Sequence, residues 1–118
     1  MFKGRAELTD QNGAVVATVN ETCHDYGATV ATVKLRPPLA PFTLQGTESL
    51  AIFAKGSSQP VISVAASDPA GTEINEFHGT SAIGCVPAQT TISLVKSPGG
   101  DLSTLLIVLA TGTVKPQS

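Results

Sequence analysis

Two cysteines and two histidines are the residues of this chain whose types best suit chemistry. Thiolate and imidazole groups are the side chains that zinc most often binds in proteins. Structural zinc sites, however, usually take their ligands in close pairs such as Cys-x2-Cys, and two adjacent residues point to opposite faces of a strand. The four candidate ligands are Cys23, His24, His78 and Cys85. Because their spacing does not fit, we predict no metal site.

The two cysteines lie far apart in the chain, as do the cysteines of the inter-sheet disulfide in immunoglobulin domains. Those domains place a core tryptophan between the cysteines and a tyrosine two residues before the second one. This chain contains no tryptophan and has Ile83 at the second of these positions. Charges at Lys3, Arg5 and Glu7 interrupt the apolar run that a secretory signal needs. We therefore expect no signal peptide and two buried, reduced thiols.

Hydrolytic chemistry would need a nucleophile with a base and an orienting acid, or a pair of facing carboxylates. The serine in Gly79–Gly84 does not lie in a Gly-x-Ser-x-Gly elbow, and its surroundings are typical of a turn. Glu73 and Glu76, the two glutamates nearest to Ser81 in the chain, would point to opposite faces of a strand and so would not form a facing pair. The residues considered for these roles are His24, Asp25, Glu73, Glu76, His78 and Ser81. We predict no catalytic residue among them and expect the protein not to be an enzyme.

Nucleotide and nucleic-acid sites are also disfavoured. Gly99-Gly100 lacks the Lys-Ser/Thr pair of a phosphate-binding loop, so we predict no cofactor. The 7 basic residues are spread along the chain, and the few aromatic side chains have no basic cluster beside them. We therefore expect no nucleic-acid partner. Tyr26 is the one aromatic residue that we consider for carbohydrate binding.

The low charge content is the unusual feature of the composition. Charged residues make up 14% of the 118 residues, against about 25% in ordinary globular domains. The longest apolar run, Leu105–Ala110, is far shorter than the roughly 20 residues of a membrane-spanning helix, so we expect no membrane partner. A chain of this length can bury a core as one domain. Its charge-poor surface is a candidate for contact with another protein.

The pattern of apolar residues predicts β-structure throughout. Apolar and polar residues alternate from Phe2 to Thr9, and Asn12-Gly13 then favours a tight hairpin. The segment Gly13–Val19 reappears almost unchanged as Gly27–Val33, which predicts two neighbouring strands in similar surroundings. We predict an all-β, single-domain fold, namely an antiparallel β-sandwich or barrel of eight to nine short strands.

This domain is predicted to cover residues 1–118, with a candidate N-terminal arm at 1–9 and a Pro-rich connector at 36–42. Leu105–Ala110 places apolar side chains on both faces of its strand. It is therefore either a central strand covered on both sides or a strand with one face against another subunit. The strands predicted after the connector cover residues 42–45, 50–55, 61–66, 72–78, 90–96 and 104–114.

A charge-poor β domain without a recognisable set of catalytic residues is typical of structural proteins and of binding proteins. The segment from Arg36 to Ala66, in which the Pro-rich RPPLAPFTLQGTESLAIFAKG leads into short strands and PVISVAASDPAGTEI, resembles the small β capsid decoration (cement) proteins of tailed bacteriophages. This resemblance implies a structural virion protein on the capsid surface, made in the host cytoplasm. It also implies binding to the major capsid or another shell protein, commonly as a homo-oligomer, with a trimer favoured. No functional residue is carried over from the resemblance.

An alternative hypothesis is an immunoglobulin-like β-sandwich binding module that recognises a protein or carbohydrate through its loops. The loops in question are Asn20–Gly27, Ser67–Gly71 and Ser97–Asp101. The two hypotheses differ in what they need from the surface. An assembly subunit needs an exposed apolar face, whereas a binding module needs loops that present a site.

Overall fold

The computed structural model describes residues 1–65, 71–98 and 106–117, and every regular element in these ranges is a β-strand. The all-β prediction is confirmed. Eleven strands are seen where eight or nine were predicted, partly because the predicted strand 72–78 is divided at Asn75. The strands are β1 (Phe2–Thr9), β2 (Val15–Cys23), β3 (Thr29–Leu35), β4 (Phe42–Leu44), β5 (Ser49–Ala54), β6 (Pro60–Ala65), β7 (Thr72–Ile74), β8 (Glu76–Thr80), β9 (Thr91–Ser97), β10 (Ile107–Thr113) and β11 (Lys115–Pro116).

Eight strands follow one another round a nearly closed antiparallel barrel, in the order β6-β5-β9-β10-β1-β2-β3-β8. The two end strands approach each other, because the N–H of Ala82, just after β8, donates to the carbonyl oxygen of Val61 in β6 at 3.0 Å. β11 follows β10 after a single residue and also pairs with β1. The barrel interior is filled by the inward-facing apolar side chains, and those that are wholly buried include Leu8, Val33, Leu50, Ile52 and Leu94.

The N-terminal segment is an interior strand of this barrel. β1 pairs with β2 along its whole length, and it pairs with β10 and β11 on its other side. Ala6 and Leu8 of β1 are buried in the core. Residues 1–9, which the sequence suggested as a candidate arm, are thus built into the chain's own sheet. Lending them to a neighbouring molecule would break the barrel at its centre.

The first hairpin and the sequence repeat have the structure that was predicted. Asp10 Oδ1 accepts the N–H groups of Asn12 and Ala14, and Gly13 has a φ of 84°, which glycine adopts without strain. Gly27 has a φ of 96° at the same position of the second copy. The two copies form the neighbouring strands β2 and β3, and the equivalent pairs Ala17/Ala31 and Val19/Val33 all point into the core.

The Pro-rich connector leads from the barrel to a second, two-stranded sheet. Its Pro37-Pro38 and Ala40-Pro41 peptide bonds are cis, and it joins β3 to β4. β4 pairs only with β7, and Leu44 and Ile74 from these two strands are buried in the same core as the barrel residues. The predicted strand 72–78 is wrong as a single element, because the chain leaves this small sheet at Asn75 and enters the barrel as β8.

Candidate functional site

The structure does not bring the candidate catalytic residues together. Glu73 lies on β7 in the small sheet, whereas Glu76 and His78 lie exposed on β8. The hydroxyl of Ser81 donates to the carbonyl of Gly84 at 2.8 Å and accepts the N–H of Ile83 at 3.3 Å. Its contacts are therefore those of a turn, as the sequence suggested.

At the turn between β2 and β3, the ring of His24 stacks on the ring of Tyr26, with the ring centroids 5.2 Å apart. The carboxylate of Asp25 lies 2.6 Å from the α-amino group of Met1. The carboxylate of Asp25 is thus bound to the chain's amino terminus, and no hydrogen bond between it and the imidazole of His24 is seen among the described residues.

The two cysteines form a disulfide, so the expectation of reduced thiols is wrong. Cys23 ends β2, and Cys85 lies in the loop between β8 and β9. The fold holds their Cα atoms 5.5 Å apart, within the usual range for a disulfide, and the S–S distance is 2.09 Å. The link joins a strand to a loop, unlike the strand-to-strand bridge of immunoglobulin domains. With both sulfurs in this bond, neither is a thiolate ligand for a metal.

A buried glutamate next to the disulfide is the feature that sequence reasoning missed. Glu21 lies on β2 with its side chain inside the barrel, and it pairs across the sheet with Gly4 and Ala31. One carboxylate oxygen, Oε1, accepts the N–H of Val86 at 2.9 Å. The other, Oε2, is buried without a hydrogen-bond partner among the described residues. The signal in the sequence was an acid at an inward position of β2, where Ala17, Val19 and Cys23 otherwise alternate.

The environment of Glu21 favours its neutral form. Burial raises the pKa of this carboxyl above its ordinary value of 4.5, and the hydrogen bond from Val86 offsets part of that rise. A residue with a side chain at position 4 would crowd it, because a Cβ on Gly4 would lie 2.8 Å from Oε2. The barrel thus keeps space for a carboxyl group that it penalises once the group is charged.

Replacing this carboxyl by an amide is expected to change how stability depends on pH. Because the folded pKa of Glu21 is raised, its contribution to wild-type stability is complete below pH 4.5 and is lost as the pH rises through the folded pKa. We expect the free energy of unfolding of Glu21→Gln, relative to wild type, to increase from about pH 4 to about pH 8 in urea titrations. The control is Glu7→Gln, at an exposed position, which should show no such trend. Parallel curves for Glu21→Gln and wild type would contradict this interpretation.

The beginning of β10 presents the largest exposed apolar side chains that are consecutive in the described chain. Leu106, Ile107 and Val108 are 37%, 44% and 58% exposed, whereas Ala110 is buried. Burial of the run Leu105–Ala110 on both faces was one of two expectations, and for residues 106–108 the structure does not show it. Leu105 itself lies outside the described residues.

This exposure has a geometric cause. β10 pairs with β9 from Ile107 onwards. With β1 it is paired in register only at Thr111, opposite Thr9, and the chain turns away just after Thr9, at Asp10. The first residues of β10, 107–110, therefore extend past the end of β1. An open cleft of about 560 Å³ lies between this end and the turn, lined by residues 9–12 and 107–111. We call residues 106–110 and the facing residues 9–12 the β10 surface.

The loops proposed for a binding module are only partly described. Most of Ser67–Gly71 and of Ser97–Asp101 lies outside the described residues, as does Gly99-Gly100. The loop Asn20–Gly27 is largely the end of β2 and a tight turn, in which the His24 N–H donates to Ala28 and the Gly27 N–H to His24. At its tip Tyr26 is 80% exposed.

None of the described residues forms a helix long and apolar enough to cross a membrane. Searches with the whole chain against protein-family models, characterised proteins and solved structures return no match, so the fold and the two sites above are what the chain offers for an assignment.

Proposed function

We propose that this protein is a structural virion subunit, a capsid decoration or cement protein that binds and stabilises the head shell of a phage through its β10 surface. The observation that carries the proposal is the exposed apolar start of β10, where Leu106, Ile107 and Val108 are consecutive and all exposed. Contiguous exposed apolar residues on a soluble protein commonly mark a contact with another protein. The proposed partner is the major capsid protein or another shell protein.

The β10 surface has the two properties that such a contact needs. Each large apolar side chain that becomes buried there contributes roughly 1.5 to 3 kcal/mol. The backbone of β10 before Thr111, from residue 107 to residue 110, also lacks a neighbouring strand on the β1 side within the described ranges. An open strand edge accepts an extended segment of a partner through backbone hydrogen bonds, which give affinity without a specific side-chain chemistry.

The composition and the disulfide are compatible with this role. Interfaces are depleted of charged residues at their centre, and this chain has few charges to place there. Disulfides persist in oxidising surroundings, which include the surface of a virion. The Pro-rich segment Arg36–Ala66, which resembles decoration proteins, supports the same assignment. The proposed location is the capsid surface, and the resemblance favours a homo-oligomer, with a trimer as the expected state.

Introducing a charge at the β10 surface tests this proposal. Ile107→Lys should weaken co-sedimentation with expanded, undecorated heads of the phage that encodes the chain by at least about tenfold, because a lysine would be desolvated without a partner in the contact. Val30→Lys is the matched control, since Val30 on β3 is 45% exposed, almost the same as Ile107. It should bind like wild type, and both variants should remain folded because both positions are exposed.

The outcomes separate the occupants of the β10 surface. Loss of head binding at unchanged solution mass supports contact with the shell protein. A fall in mass from trimer to monomer assigns the β10 surface to a second copy of this chain and overturns its assignment to the shell. A wild-type protein that is monomeric and does not co-sediment with heads overturns the proposed function.

One observation favours the alternative of a β-sandwich-like binding module. Tyr26 and His24 form a parallel stack, with ring planes 12° apart, at the exposed tip of the β2–β3 turn. Exposed aromatic faces of this kind suit a sugar ring or a protein partner. If Tyr26→Ala abolishes binding to a glycan or protein ligand that Ile107→Lys still binds, the module hypothesis replaces the shell hypothesis.

A further inference from the structure

The two sulfurs of the Cys23–Cys85 disulfide stand in different surroundings. Cys23 is 7% exposed at the end of β2, whereas Cys85 is an exposed residue of the loop between β8 and β9. Thiol–disulfide exchange begins when an external thiolate attacks one sulfur, and the other sulfur leaves as a thiolate. The exposed loop makes Cys85 the accessible target. The leaving sulfur is then Cys23, on the buried side.

A thiolate that forms in a buried place needs a proton or a counter-charge, because desolvation penalises its charge. The carboxyl group of Glu21 lies close enough to be considered as the source of that proton. A carboxylate oxygen of Glu21 and both sulfurs lie within 4.8 Å of one another. Glu21 and Cys23 are two residues apart on β2, so their side chains point to the same face.

The position and contacts of the Glu21 carboxyl group suit proton donation. The N–H of Val86, next to Cys85 in the chain, fixes Oε1 at 2.9 Å and leaves Oε2 buried without a partner. A cavity of about 10 Å³ lies beside the group, close to the smallest volume that one water molecule needs. A donor must be within hydrogen-bond reach of the acceptor or act through one water. The cavity is lined by Glu21 but by neither cysteine, so direct transfer is the route proposed. A carboxylate oxygen of Glu21 lies within 4.8 Å of the sulfur of Cys23 in the oxidised protein, and breaking the S–S bond frees Cys23 to rotate about χ1 towards it.

We propose that Cys23–Cys85 is a thiol–disulfide exchange site for dithiols, in which Glu21 donates a proton to the departing sulfur of Cys23. A thiolate of the dithiol attacks Cys85 Sγ, the S–S bond breaks, and its electron pair goes to Cys23 Sγ, which takes the proton from Glu21. The second thiol of the reagent loses its proton and attacks the mixed disulfide, which releases Cys85 as a thiolate. The Cys85 thiolate and the Glu21 carboxylate each take a proton from solvent, so the protein disulfide is reduced to two thiols while the dithiol is oxidised to a disulfide.

Other charged groups have little access to this carboxyl. It is faced by Gly4 from β1, Ala31 from β3 and Val86 from the loop, and by apolar side chains of β5, β6 and β9 across the barrel. Arg5 is the one other charged residue that lines the cavity. Its guanidinium lies 3.8 Å from Glu7 and is partly exposed. The pKa of Glu21 is raised, mainly by burial, so its proton is retained above the usual range for a glutamate.

The rate of reduction by dithiothreitol, divided by the concentration of its thiolate, tests the proposal from about pH 5 to about pH 9. In the wild type this rate constant should fall as the pH rises and Glu21 loses its proton. In Glu21→Gln, whose amide oxygen can still accept the Val86 N–H, it should be at least about tenfold lower at the acidic end and independent of pH. Glu7→Gln, which removes an exposed carboxylate of the neighbouring strand β1, should retain the wild-type fall.

A second measurement uses wild-type protein alone, so it does not depend on how a variant folds. Glutathione, a single thiol, should form a mixed disulfide on Cys85, which peptide mass spectrometry can locate. An adduct on Cys23 would overturn the assignment of the leaving sulfur. A wild-type rate constant that does not change with pH, or a Glu21→Gln profile that matches it, would overturn the role of Glu21. Neither result bears on the β10 surface, because the proposed assembly role does not use this disulfide.

Discussion

Removing the disulfide by the double substitution Cys23→Ala and Cys85→Ala is expected to lower the free energy of unfolding by about 4 kcal/mol. The cross-link joins residues 62 positions apart. In the chain-entropy account, a closed loop of this size removes many conformations from the unfolded chain, and those conformations return when the bond is absent. Domains of this size are stable by about 5 to 15 kcal/mol, so the loss is a large fraction of the total.

Loss of the disulfide should also weaken the structure locally, in the loop between β8 and β9. The loop between β8 and β9 forms no strand, and a few contacts fasten its described residues to the barrel. They include the N–H of Ser81 to Thr29, the N–H of Gln89 to Val114, and the N–H of Val86 to Glu21. The disulfide is the one covalent contact in this set. We therefore expect amide protection of the loop to fall further than that of β2, which stays paired on both sides.

Chemical denaturation of four samples measures this effect. Oxidised wild type should unfold at the highest urea concentration, and wild type reduced with a phosphine should unfold near the double variant. The double variant with and without phosphine supplies the control, because it has no disulfide left to reduce. If oxidised wild type and the double variant unfold at the same urea concentration with the same slope, the bond does not contribute as proposed.

Local features of the fold were predictable from the sequence because their causes are local. Alternation, the Asn12-Gly13 turn and the repeated segment place β1, β2 and β3, since each depends on the period of a strand or on the φ that a glycine permits. The repeat shows this most clearly. Equivalent residues of the two copies, Ala17 and Ala31, point into one core because both strands leave a glycine at the same offset.

The disulfide and the buried acid were not predictable in the same way. Both depend on which distant part of the chain packs against the end of the barrel. No local sequence pattern shows that Cys85 comes to lie next to Cys23. The chain lacks the immunoglobulin signatures, but their absence excludes only one way of pairing the two cysteines. Glu21 was visible as an acid at an inward position, although its meaning depends on the distant Val86.

The β10 surface lies between these two cases. The run Leu105–Ala110 predicts a strand with apolar side chains on both faces, but the sequence does not say where the neighbouring strand ends. β1 turns at Asp10, which leaves Ile107 and Val108 exposed on a projecting strand. Their exposure follows from the length of β1 relative to β10. A strand assignment with boundaries uncertain by a few residues cannot resolve such a difference.

Substituting Gly112 by alanine is expected to destabilise the barrel by about 3 kcal/mol, because the backbones of β10 and β1 approach too closely there for a side chain. A Cβ at this position would overlap the carbonyl oxygen of Glu7 and would lie 2.8 Å from Cδ2 of Leu8. Neither obstacle can move at low cost. Glu7 belongs to a strand that is paired with β2, and Leu8 is completely buried.

Gly79→Ala on β8 is the matched control for this prediction. Both glycines lie in barrel strands, and neither has a φ in the left-handed region, so an alanine is compatible with the backbone at both. At Gly79 the nearest atom to an added Cβ is Cδ1 of Ile62 at 3.8 Å, an ordinary contact, and the change should cost less than about 0.5 kcal/mol. Urea unfolding of both variants measures the difference. Equal midpoints for the two variants would mean that β10 can shift away from β1 without cost, which would contradict the tight approach of the two strands at Gly112.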